Sequence, residues 1–540
     1  MKRNIILLTL VLLTIISKAQ TNIAPDTINV NTAWSDTVLL NNDVFINDNI
    51  TLLIKPGCVV MATGLYQIDC QGQILAQGTA QDSIKFTIND TTYFANTDTA
   101  IGGWLGIIYK QTPTTNDSSI FDYCIMEFGK ANSTLLETTD GGVLFVQNFS
   151  KIRITNSYIR NNYAKCFGGA ICLDYSSILI NNNLFDNNYC FYDGGAISVL
   201  HKSKSVISNN IFVNNQVGVM EFHIQDTIYQ GRGSGVFVGS ESSDISVCNV
   251  KVINNQFYNN KGNTFYESSI NSLFMNNIIT NNIGEAIQGA GGPYTHSKYI
   301  NNTIVNNRGH FGCAIEVMDS SLFANNIVIN NLNGEEGSWD IIYNNSGWSY
   351  PNDTASNKYV KNNYVQYGDY NTGGIGNITG LTPQFINPSH NNGYISNWQD
   401  YDWHLQETSP CINMGIIDTT GLNLYEFDFD NNPRIYGNRI DIGAYENQTI
   451  VLVNKIKKND NRNLSIYPNP AHNTLQIETS KKINNIEILD ITGKILINHQ
   501  GLKYFDNLSI ISHINVDIST LKTGVYFIKT GNNIAKFIKD

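Results

Sequence analysis

Short stretches rich in Ile and Val, each bounded by asparagine or glycine turn signals, follow one another along roughly the first 380 residues of the chain. Apolar and polar positions alternate within them, and no helical period of 3.6 residues competes with this alternation. Stretches of this kind are typical of short β-strands between turns. The pattern therefore predicts an all-β body.

Asparagine pairs mark a repeat within this body. The sequence NNIITNN, from Asn276 to Asn282, places two asparagine pairs five residues apart around three residues of mostly apolar character. Such frames begin at intervals of 22 to 27 residues, except for one interval of 45 that holds two repeats. The first asparagines of the frames are Asn156, Asn182, Asn209, Asn254, Asn276, Asn301 and Asn325.

The repeat length and the absence of a helical period predict a parallel β-helix with three short strands in each coil. Leucine-rich repeats have a similar period, but the leucine scaffold that they need is absent. Successive coils stack about 4.8 Å apart, so asparagines of neighbouring coils can form hydrogen-bonded ladders of side-chain amides. Roughly a dozen coils would fill residues 30–380. The predicted ladder residues are Asn209, Asn254, Asn276, Asn301 and Asn325.

A glycine followed by a small and an apolar residue forms a second repeated motif. It reads GGAI at Gly168 and Gly194, GEAI at Gly284 and GCAI at Gly312. Because side chains alternate along a strand, the isoleucines should point into the core and the alanines outward. The predicted inward residues are Ile171, Ile197, Ile287 and Ile315, and the predicted outward residues are Ala170, Ala196, Ala286 and Ala314.

The first 19 residues have the pattern of a secretory signal peptide. Lys2 and Arg3 precede an apolar run from Ile5 to Ile16, and Ser17-Lys18-Ala19 is a small-x-small cleavage signal. The apolar run is too short to span a bilayer comfortably, and no later segment has the length of a transmembrane helix. We therefore expect an exported mature chain without a transmembrane segment.

The charge balance narrows the class of partner. The 540 residues hold 34 Lys and Arg against 45 Asp and Glu, and residues 451–540 account for 12 and 7 of these. Residues 1–450 therefore hold 22 basic against 38 acidic residues. An acidic body repels polyanions, which argues against nucleic acid and favours a neutral glycan or a protein as the partner.

Nine cysteines lie between Cys58 and Cys411, and none forms a close C-x-x-C pair, so the sequence offers no support for a zinc ribbon or a redox motif. Export permits disulfides, and Cys166 with Cys190, about one repeat apart, is the first candidate pair. The alternative is that the cysteines are small apolar residues buried in the core.

Two stretches within residues 409–446 carry a family resemblance. SPCINMG and DFDNNPRIYGNRIDIGAYE are similar to the end of the choice-of-anchor Q family of β-helix proteins. The segments IKPGCVV, QGQILAQGTAQDSIKFT and GGWLGIIY resemble the opening coils of bacterial right-handed parallel β-helix proteins. The resemblance implies a right-handed β-helix exported to the cell surface, and it implies no particular activity.

Residues 465–540 resemble the type A C-terminal sorting domain of the type IX secretion system of Bacteroidetes, through LSIYPNPAHNTLQIE, IEILDITGKIL and LKTGVYFIKTGNNIAKFIK. Alternating apolar residues in these stretches independently predict a small β-sandwich. The resemblance implies that the outer-membrane secretion machinery binds this domain and that the chain is then secreted or attached to the surface. The motif residues are Pro468, Asn469, Pro470, Asp490, Gly493, Gly524 and Tyr526.

These signals predict an all-β fold, a right-handed parallel β-helix followed by a small C-terminal β-sandwich. The predicted segments are a signal peptide at 1–19, the β-helix at 20–390, the choice-of-anchor Q end region at 391–450, a polar linker at 451–464 and the sorting domain at 465–540.

One set of residues has the spacing of a catalytic column. Glu285, His310 and Glu335 are 25 residues apart, so they could stack beside Arg308, with two carboxylates roughly 9 to 10 Å apart as in an inverting glycosidase. Trp339 and Trp348 could supply sugar stacking nearby. Alignment on the GEAI and GCAI motifs instead places Glu285 over Cys313, and the sequence leaves both registers open.

A second set has the spacing of a calcium loop. Asp428, Asp430 and Asn432 stand at alternate positions of DFDNN, but Pro433 occupies the position where such a loop needs glycine, and no bidentate Glu follows at the proper distance. The alternative is a hydrogen-bonded turn. Calcium is the one cofactor that the sequence brings into consideration.

Three functions stay open on this scaffold. The favoured one is an exported cell-surface or secreted β-helix that presents an extended surface for glycan or protein binding. The others are a polysaccharide-degrading enzyme, either a glycoside hydrolase or a lyase, and a structural surface or adhesion protein. No complete catalytic motif is present, so the enzyme hypothesis rests on analogy of fold. A groove with clustered carboxylates would favour the enzyme, and a polar or aromatic stripe would favour binding.

Overall fold

The chain forms two compact units that divide between residues 450 and 451, and each is described by itself. The predicted signal peptide lies outside the described residues. This computed structural model describes residues 21–132, 139–221, 228–239, 248–268, 271–289, 296–309, 313–318, 321–333, 339–344, 360–365, 375–390, 393–437, 439–449, 465–479, 485–500, 512–530 and 533–540.

The first unit is a right-handed parallel β-helix, in which the chain visits three parallel sheets in turn. The described strands of the first sheet are Thr21–Ile23, Thr37–Leu40, Val59–Ala62, Ile84–Ile88, Cys124–Glu127, Tyr158–Arg160, Leu184–Asp186, Ile211–Val213, Gln256–Tyr258, Ile278–Thr280, Thr303–Val305, Ile327–Ile329 and Tyr364–Val365. Those of the second sheet are Thr27–Ile28, Val44–Ile46, Gln67–Cys70, Gly106–Lys110, Leu144–Gln147, Ile171–Asp174, Ile197–Leu200, Val236–Gly239, Phe265–Glu267, Ile287–Gly289, Cys313–Met318 and Trp339–Asn344. Those of the third sheet are Thr32–Trp34, Thr51–Ile54, Gln73–Gln77, Ser119–Asp122, Ile152–Thr155, Leu179–Asn181, Val206–Ser208, Lys251–Ile253, Leu273–Met275, Lys298–Ile300, Leu322–Ala324 and Val360–Lys361.

Shorter elements lie at the corner between the first and second sheets. A small parallel sheet contains Lys130–Ala131, Tyr163–Ala164, Tyr189–Cys190 and Gln216–Val217, and a further parallel pair joins Arg308–Gly309 to Leu332–Asn333. An antiparallel hairpin pairs Val219–Glu221 with Ile228–Gln230. These additions widen one edge of the second sheet in the middle coils.

The core runs along the inside of the coils and contains the predicted isoleucines Ile171, Ile197, Ile287 and Ile315, all fully buried. The prediction for the alanines is wrong, because Ala170, Ala196 and Ala286 are also fully buried in the same core. The backbone explains the difference. The N–H groups of Ala170 and Ile171 both donate to the carbonyl of Ala196, so the strict alternation begins only after the alanine.

The asparagine ladder exists, but the second residue of each pair forms it. Asn277 donates from Nδ2 to Oδ1 of Asn302 at 3.1 Å and to the carbonyl of Val252, one coil earlier, at 2.9 Å. The same ladder runs through Asn183, Asn210, Asn255, Asn277, Asn302, Asn326 and Asn363, and a parallel one through Asn162, Asn188, Asn215, Asn260, Asn282, Asn307 and Asn331.

The prediction that the first asparagines carry the ladder is therefore corrected. These residues take left-handed φ values between 55° and 57°, a conformation that asparagine tolerates well among residues with a Cβ. They turn the chain, so that the following asparagine faces the interior. The five residues concerned are Asn209, Asn254, Asn276, Asn301 and Asn325.

The paired glycines of the GGAI motif allow close backbone contacts. Gly168 has φ +68°, and a Cβ there would lie 2.1 Å from the carbonyl oxygen of Ile171. A Cβ on Gly169 would lie 2.1 Å from the carbonyl oxygen of Gly195 in the next coil. The first glycine thus lets the corner loop approach its own strand, and the second lets the coils stack.

Residues 383–446, which we call the cover, fold back along the outside of the later coils. They include the antiparallel strands Phe385–Asn387 and Asp402–Leu405 and a 3-10 helix, Trp398–Asp400. Trp398 of the cover stacks on Tyr258 of the first sheet, with ring centroids 5.0 Å apart. Apolar side chains of the cover shield outward-facing residues of the first and third sheets, among them Ile278, Ile327 and Ile300.

The second unit has two antiparallel sheets around one apolar core, as expected of a small β-sandwich. One sheet contains Ser465–Tyr467, Thr474–Thr479 and Ser512–Asp517. The other contains Asn485–Leu489, Ile495–Gln500, Gly524–Thr530 and Asn533–Lys539.

The disulfide predicted between Cys166 and Cys190 does not form. Cys190 is a buried free thiol whose Sγ donates to the carbonyl of Cys166 at 3.2 Å. Burial raises the pKa of the Cys190 thiol well above its ordinary value. Other thiols are buried in the same way, which agrees with the alternative role as small apolar residues: Cys58, Cys70, Cys124, Cys172, Cys248 and Cys411.

Candidate functional site

A row of polar and aromatic side chains lies at the corner between the second and third sheets. Tyr175 and His201 follow two neighbouring strands of the second sheet and take left-handed φ values of 48° and 35°. Their rings are parallel within 7°, with centroids 4.9 Å apart. This separation is close to the coil spacing of about 4.8 Å, so the two rings hold equivalent places in successive coils.

Asp174 connects this pair to the preceding coil. Its Oδ1 lies 2.6 Å from Nδ1 of His201, and its Oδ2 accepts a hydrogen bond of 2.8 Å from Nε2 of Gln147. A proton on Nδ1 of His201 would leave Nε2 as an acceptor. We call Gln147, Asp174, Tyr175 and His201 the Tyr175 ridge.

The Tyr175 ridge is accessible, and its backbone is fixed. Tyr175 exposes 42% of its surface, whereas His201, Asp174 and Gln147 are half-buried. The N–H of Ser176 donates to Oγ of Ser203 at 3.0 Å, which joins the two turns directly below the rings. Parallel rings one coil apart expose mainly their edges. A ligand would therefore meet polar groups whose positions are set before binding.

The PRI and IDIGAYE stretches form an ion-paired lock inside the cover. Arg434 is almost fully buried, and its Nη2 lies 2.9 Å from Oε2 of Glu446. Arg434 Nη1 donates to the carbonyl of Ala444 at 2.8 Å and to Oδ1 of Asn276 on the β-helix at 3.3 Å. Glu446 also accepts the N–H groups of Tyr436 and Asp441. Burial raises the pKa of the Glu446 carboxyl, and Arg434 opposes this shift. The lock holds the cover together and ties it to the coils.

His404 lies between two carboxylates in the cover. Its Nδ1 is 2.5 Å from Oδ1 of Asp402, and its Nε2 is 2.5 Å from Oδ2 of Asp430. The ring stacks on Tyr445 with centroids 3.8 Å apart. The hydrogen bond to Asp430, together with that to Asp402, raises the pKa of His404 to about 9 against the effect of burial. The imidazolium thus cross-links the Asp430 turn to the strand Asp402–Leu405.

The residues of the candidate calcium loop form a tight turn. Asp428 is buried, and its carboxylate accepts the N–H groups of Asp430, Asn432 and Glu446. Asp430 contacts His404 instead of turning toward Asp428. Among the described residues, no group of three or more His, Cys, Asp or Glu side chains could hold a metal ion. The geometry is that of the alternative, a hydrogen-bonded turn.

The predicted catalytic column does not match the observed register. Ile287 pairs with Ile315 and Gln288 with Glu316, 28 residues apart, which places Glu285 in line with Cys313. Glu285 is buried with 2% exposure, whereas Arg308 is exposed and pairs with Ile283. His310 and Glu335 lie outside the described residues, as does Trp348. The 25-residue stacking is thus corrected at its first step, and the second of the two registers is the one found.

The sorting-domain motif residues build turns in the second unit. Asn469 lies between two prolines and accepts the N–H of Ile538 at 2.9 Å. Asp490 accepts the N–H groups of Thr492 and Lys494 in a turn completed by Gly493, which has φ +82°. The hydroxyl of Tyr526 donates to the carbonyl of Lys522 at 2.8 Å. Pro468, Pro470 and Gly524 begin or adjoin the neighbouring strands.

Sequence reasoning missed the Tyr175 ridge and the His404 cluster. Asp174 and His201 are 27 residues apart, which is one repeat, so a search for polar residues at the repeat spacing could have found the ridge. Asp402, His404 and Asp430 belong to segments with no repeat. Only the tertiary structure brings them together.

Residues 465–540 match the family model of a secretion system C-terminal sorting domain. A comparison of the chain with curated proteins finds no match. Together with the β-sandwich, the match shows an exported protein that is handled by the type IX secretion machinery and reaches the cell surface or the medium. Among the described residues, no helix is long and apolar enough to cross a membrane.

Proposed function

We propose that this exported β-helix binds a neutral glycan at the Tyr175 ridge. The observation that carries the proposal is the stacked, accessible pair of Tyr175 and His201, held by Asp174 and Gln147 in neighbouring coils. Phenol, imidazole, carboxylate and amide groups stand in one line along the β-helix. Such a line suits the repeated hydroxyl groups of an extended sugar chain.

The electrostatic balance supports a neutral ligand. The first 450 residues contain 22 basic against 38 acidic residues, so a polyanion would approach against the net field of the body. Within the ridge, Asp174 is engaged by its two neighbours and adds no cationic group that would attract uronic acids. A neutral polysaccharide meets no such repulsion, and its hydroxyls can both donate and accept hydrogen bonds.

A polysaccharide-degrading enzyme is the second candidate, and the contact between Asp174 and His201 favours it. A carboxylate on Nδ1 orients an imidazole whose Nε2 can accept a proton, as a general base must. The described residues near His201 provide no second carboxylate at the separation that inverting or retaining hydrolysis requires. Binding therefore comes before catalysis in the proposal.

The test is retention of the full chain on neutral and acidic polysaccharides, measured together with the release of reducing ends. We expect retention on a neutral polysaccharide, and we expect Tyr175→Ala to weaken it by about 2 kcal/mol, roughly thirtyfold, as truncation of a central aromatic contact does. Tyr394→Ala is the matched control, since Tyr394 is another exposed tyrosine, on the cover.

Equal retention of Tyr175→Ala and the native chain would refute the ridge as the binding site. Release of reducing ends that is lost in His201→Asn would replace the binding proposal with the enzyme. Retention on acidic polysaccharides alone would contradict the argument from charge.

A further inference from the structure

The surface under the cover continues, without a cover, into earlier coils. Under the cover, the first sheet forms the floor of a trough, and a line of left-handed asparagines borders it on each side. Three preceding coils repeat this arrangement around the strands Tyr158–Arg160, Leu184–Asp186 and Ile211–Val213. We call these three coils the open trough. Its bordering residues, with φ between 51° and 57°, are Asn156, Asn182 and Asn209 on one side and Asn161, Asn187 and Asn214 on the other.

Under the cover, the bordering amides hold a polypeptide backbone. Asn276 donates from Nδ2 to the carbonyl of Phe427 at 2.9 Å. On the other border, Asn281 donates to the carbonyl of Gly393 at 3.0 Å. Further bonds of this kind join Asn259 to Ile395, Asn301 to Asp441 and Asn306 to Ser389, at 2.7 to 2.8 Å. The chain itself thus shows what these borders bind.

In the open trough, the bordering amides contact one another. Asn182 donates to Oδ1 of Asn156 at 2.6 Å, and Asn187 donates to Oδ1 of Asn161 at 2.7 Å. Each of these bonds uses one N–H of an amide that carries two. Asn182 and Asn187 are both exposed. The open borders therefore retain hydrogen-bonding capacity of the kind that holds the cover.

The floor of the open trough is continuous with the covered floor. Leu184 pairs with Ile211, and the same column passes through Gln256 to Ile278 beneath the cover. Leu184 is partly buried and packs against the apolar cluster that the cover forms with the first sheet. Ile211 is also only partly buried. Apolar floor and amide borders thus extend beyond the last residues of the cover.

We propose that the open trough binds an extended polypeptide segment of a partner protein, as an extension of the cover. The partner would present backbone carbonyls to the two asparagine borders and apolar side chains to Leu184 and Ile211. A peptide is favoured over a sugar because every ligand of the equivalent covered borders is a peptide segment. This surface is separate from the Tyr175 ridge and does not depend on the proposed glycan binding.

The probe is a fluorescent peptide with the sequence FINPSHNNGYIS, residues 385–396, which is the part of the cover that lies along one border. Its binding to the full chain is followed by fluorescence anisotropy. We expect saturable binding, about tenfold weaker in the double variant Asn182→Gly and Asn187→Gly, because two amide hydrogen bonds are lost. Glycine keeps the left-handed φ that both positions require.

Asn148→Gly is the matched control, since Asn148 is exposed with φ 60° but lies at the corner after the second sheet. This variant should bind the peptide as the native chain does. If the double variant fails to fold, each single variant should weaken binding about threefold. Absence of saturable binding, or equal affinity of the double variant and the control, would overturn the proposal. Loss of polysaccharide retention in the double variant without peptide binding would assign the trough to a glycan instead.

Discussion

Asn276 and Asn277 are neighbours in the chain, and their side chains serve opposite sides of the wall. Asn276 reaches outward and donates to the carbonyl of Phe427 in the cover, whereas Asn277 reaches inward and donates to Asn302 in the ladder. The left-handed φ of Asn276, 55°, produces this division. One asparagine pair therefore fastens two different layers of the molecule.

The inner and outer asparagines should differ strongly in their effect on stability. Asn210 is fully buried, donates to Ile180 and Asn255, and accepts from Asn183. We expect Asn210→Ala to lower the free energy of unfolding by at least about 2 kcal/mol, because several buried partners lose their hydrogen bonds. The control Asn209→Gly keeps the turn and should change it by less than about 1 kcal/mol. Urea unfolding of the two variants measures the difference, and equal losses would contradict the ladder assignment.

Arg434 should be required for the cover to remain attached. Its removal leaves Glu446 buried without the guanidinium, a change that typically lowers stability by about 3 to 5 kcal/mol. We expect Arg434→Met to make residues 385–449 sensitive to limited proteolysis while the coils stay resistant. Arg153→Met, at an exposed position of the third sheet, is the control. Unchanged proteolysis of the Arg434 variant would show that apolar contacts alone hold the cover.

His404 should make the stability of the cover depend on pH at the alkaline end. The folded-state pKa is raised to about 9 from an ordinary value of 6.5. The stabilisation is therefore complete below about pH 6.5 and is lost as pH rises through 9. The cluster is partly exposed, so the effect should stay below about 1 kcal/mol. We expect His404→Gln to lower the unfolding temperature at pH 6 and not at pH 10, whereas exposed His296→Gln should have no effect at either pH.

Glu267 should destabilise the β-helix when it ionises. It is 1% exposed inside the coils, accepts a hydrogen bond from the hydroxyl of Tyr299, and has a pKa raised by burial from the ordinary 4.5. Its contribution to stability is present at acid pH and is lost as pH rises through the raised pKa. We expect Glu267→Gln to raise the unfolding temperature at pH 8 and to leave it nearly unchanged at pH 4. The same gain at both values would exclude ionisation as the cause.

The repeat made the coils predictable, and its irregular parts were not. Paired asparagines and GxAI motifs recur because every coil needs the same turn and the same close approach, so the architecture and the buried Ile171 and Ile197 follow from the sequence alone. The position of the ladder did not, because a pair of identical residues does not reveal which member takes the left-handed φ. The cover has no period, and a residue such as His404 meets Asp430 only after a return of the chain.

The candidate site divides in the same way. The Tyr175 ridge obeys the repeat spacing, so its members could be paired once the register was known. The Glu285 column failed because a corner of variable length made two registers possible, and only strand pairing chose between them.

The contact from Asn276 to Phe427 spans 151 residues, whereas the ladder bonds from Asn210 to Asn255 and from Asn255 to Asn277 span 45 and 22. Loop closure over such a distance is slow compared with the addition of a coil to its neighbour. The coils can therefore assemble one after another while Tyr258, Ile278 and Ile327 still face water. Until the cover arrives, this apolar strip is the part of the chain most prone to aggregate, which gives export in an unfinished state a reason to be assisted.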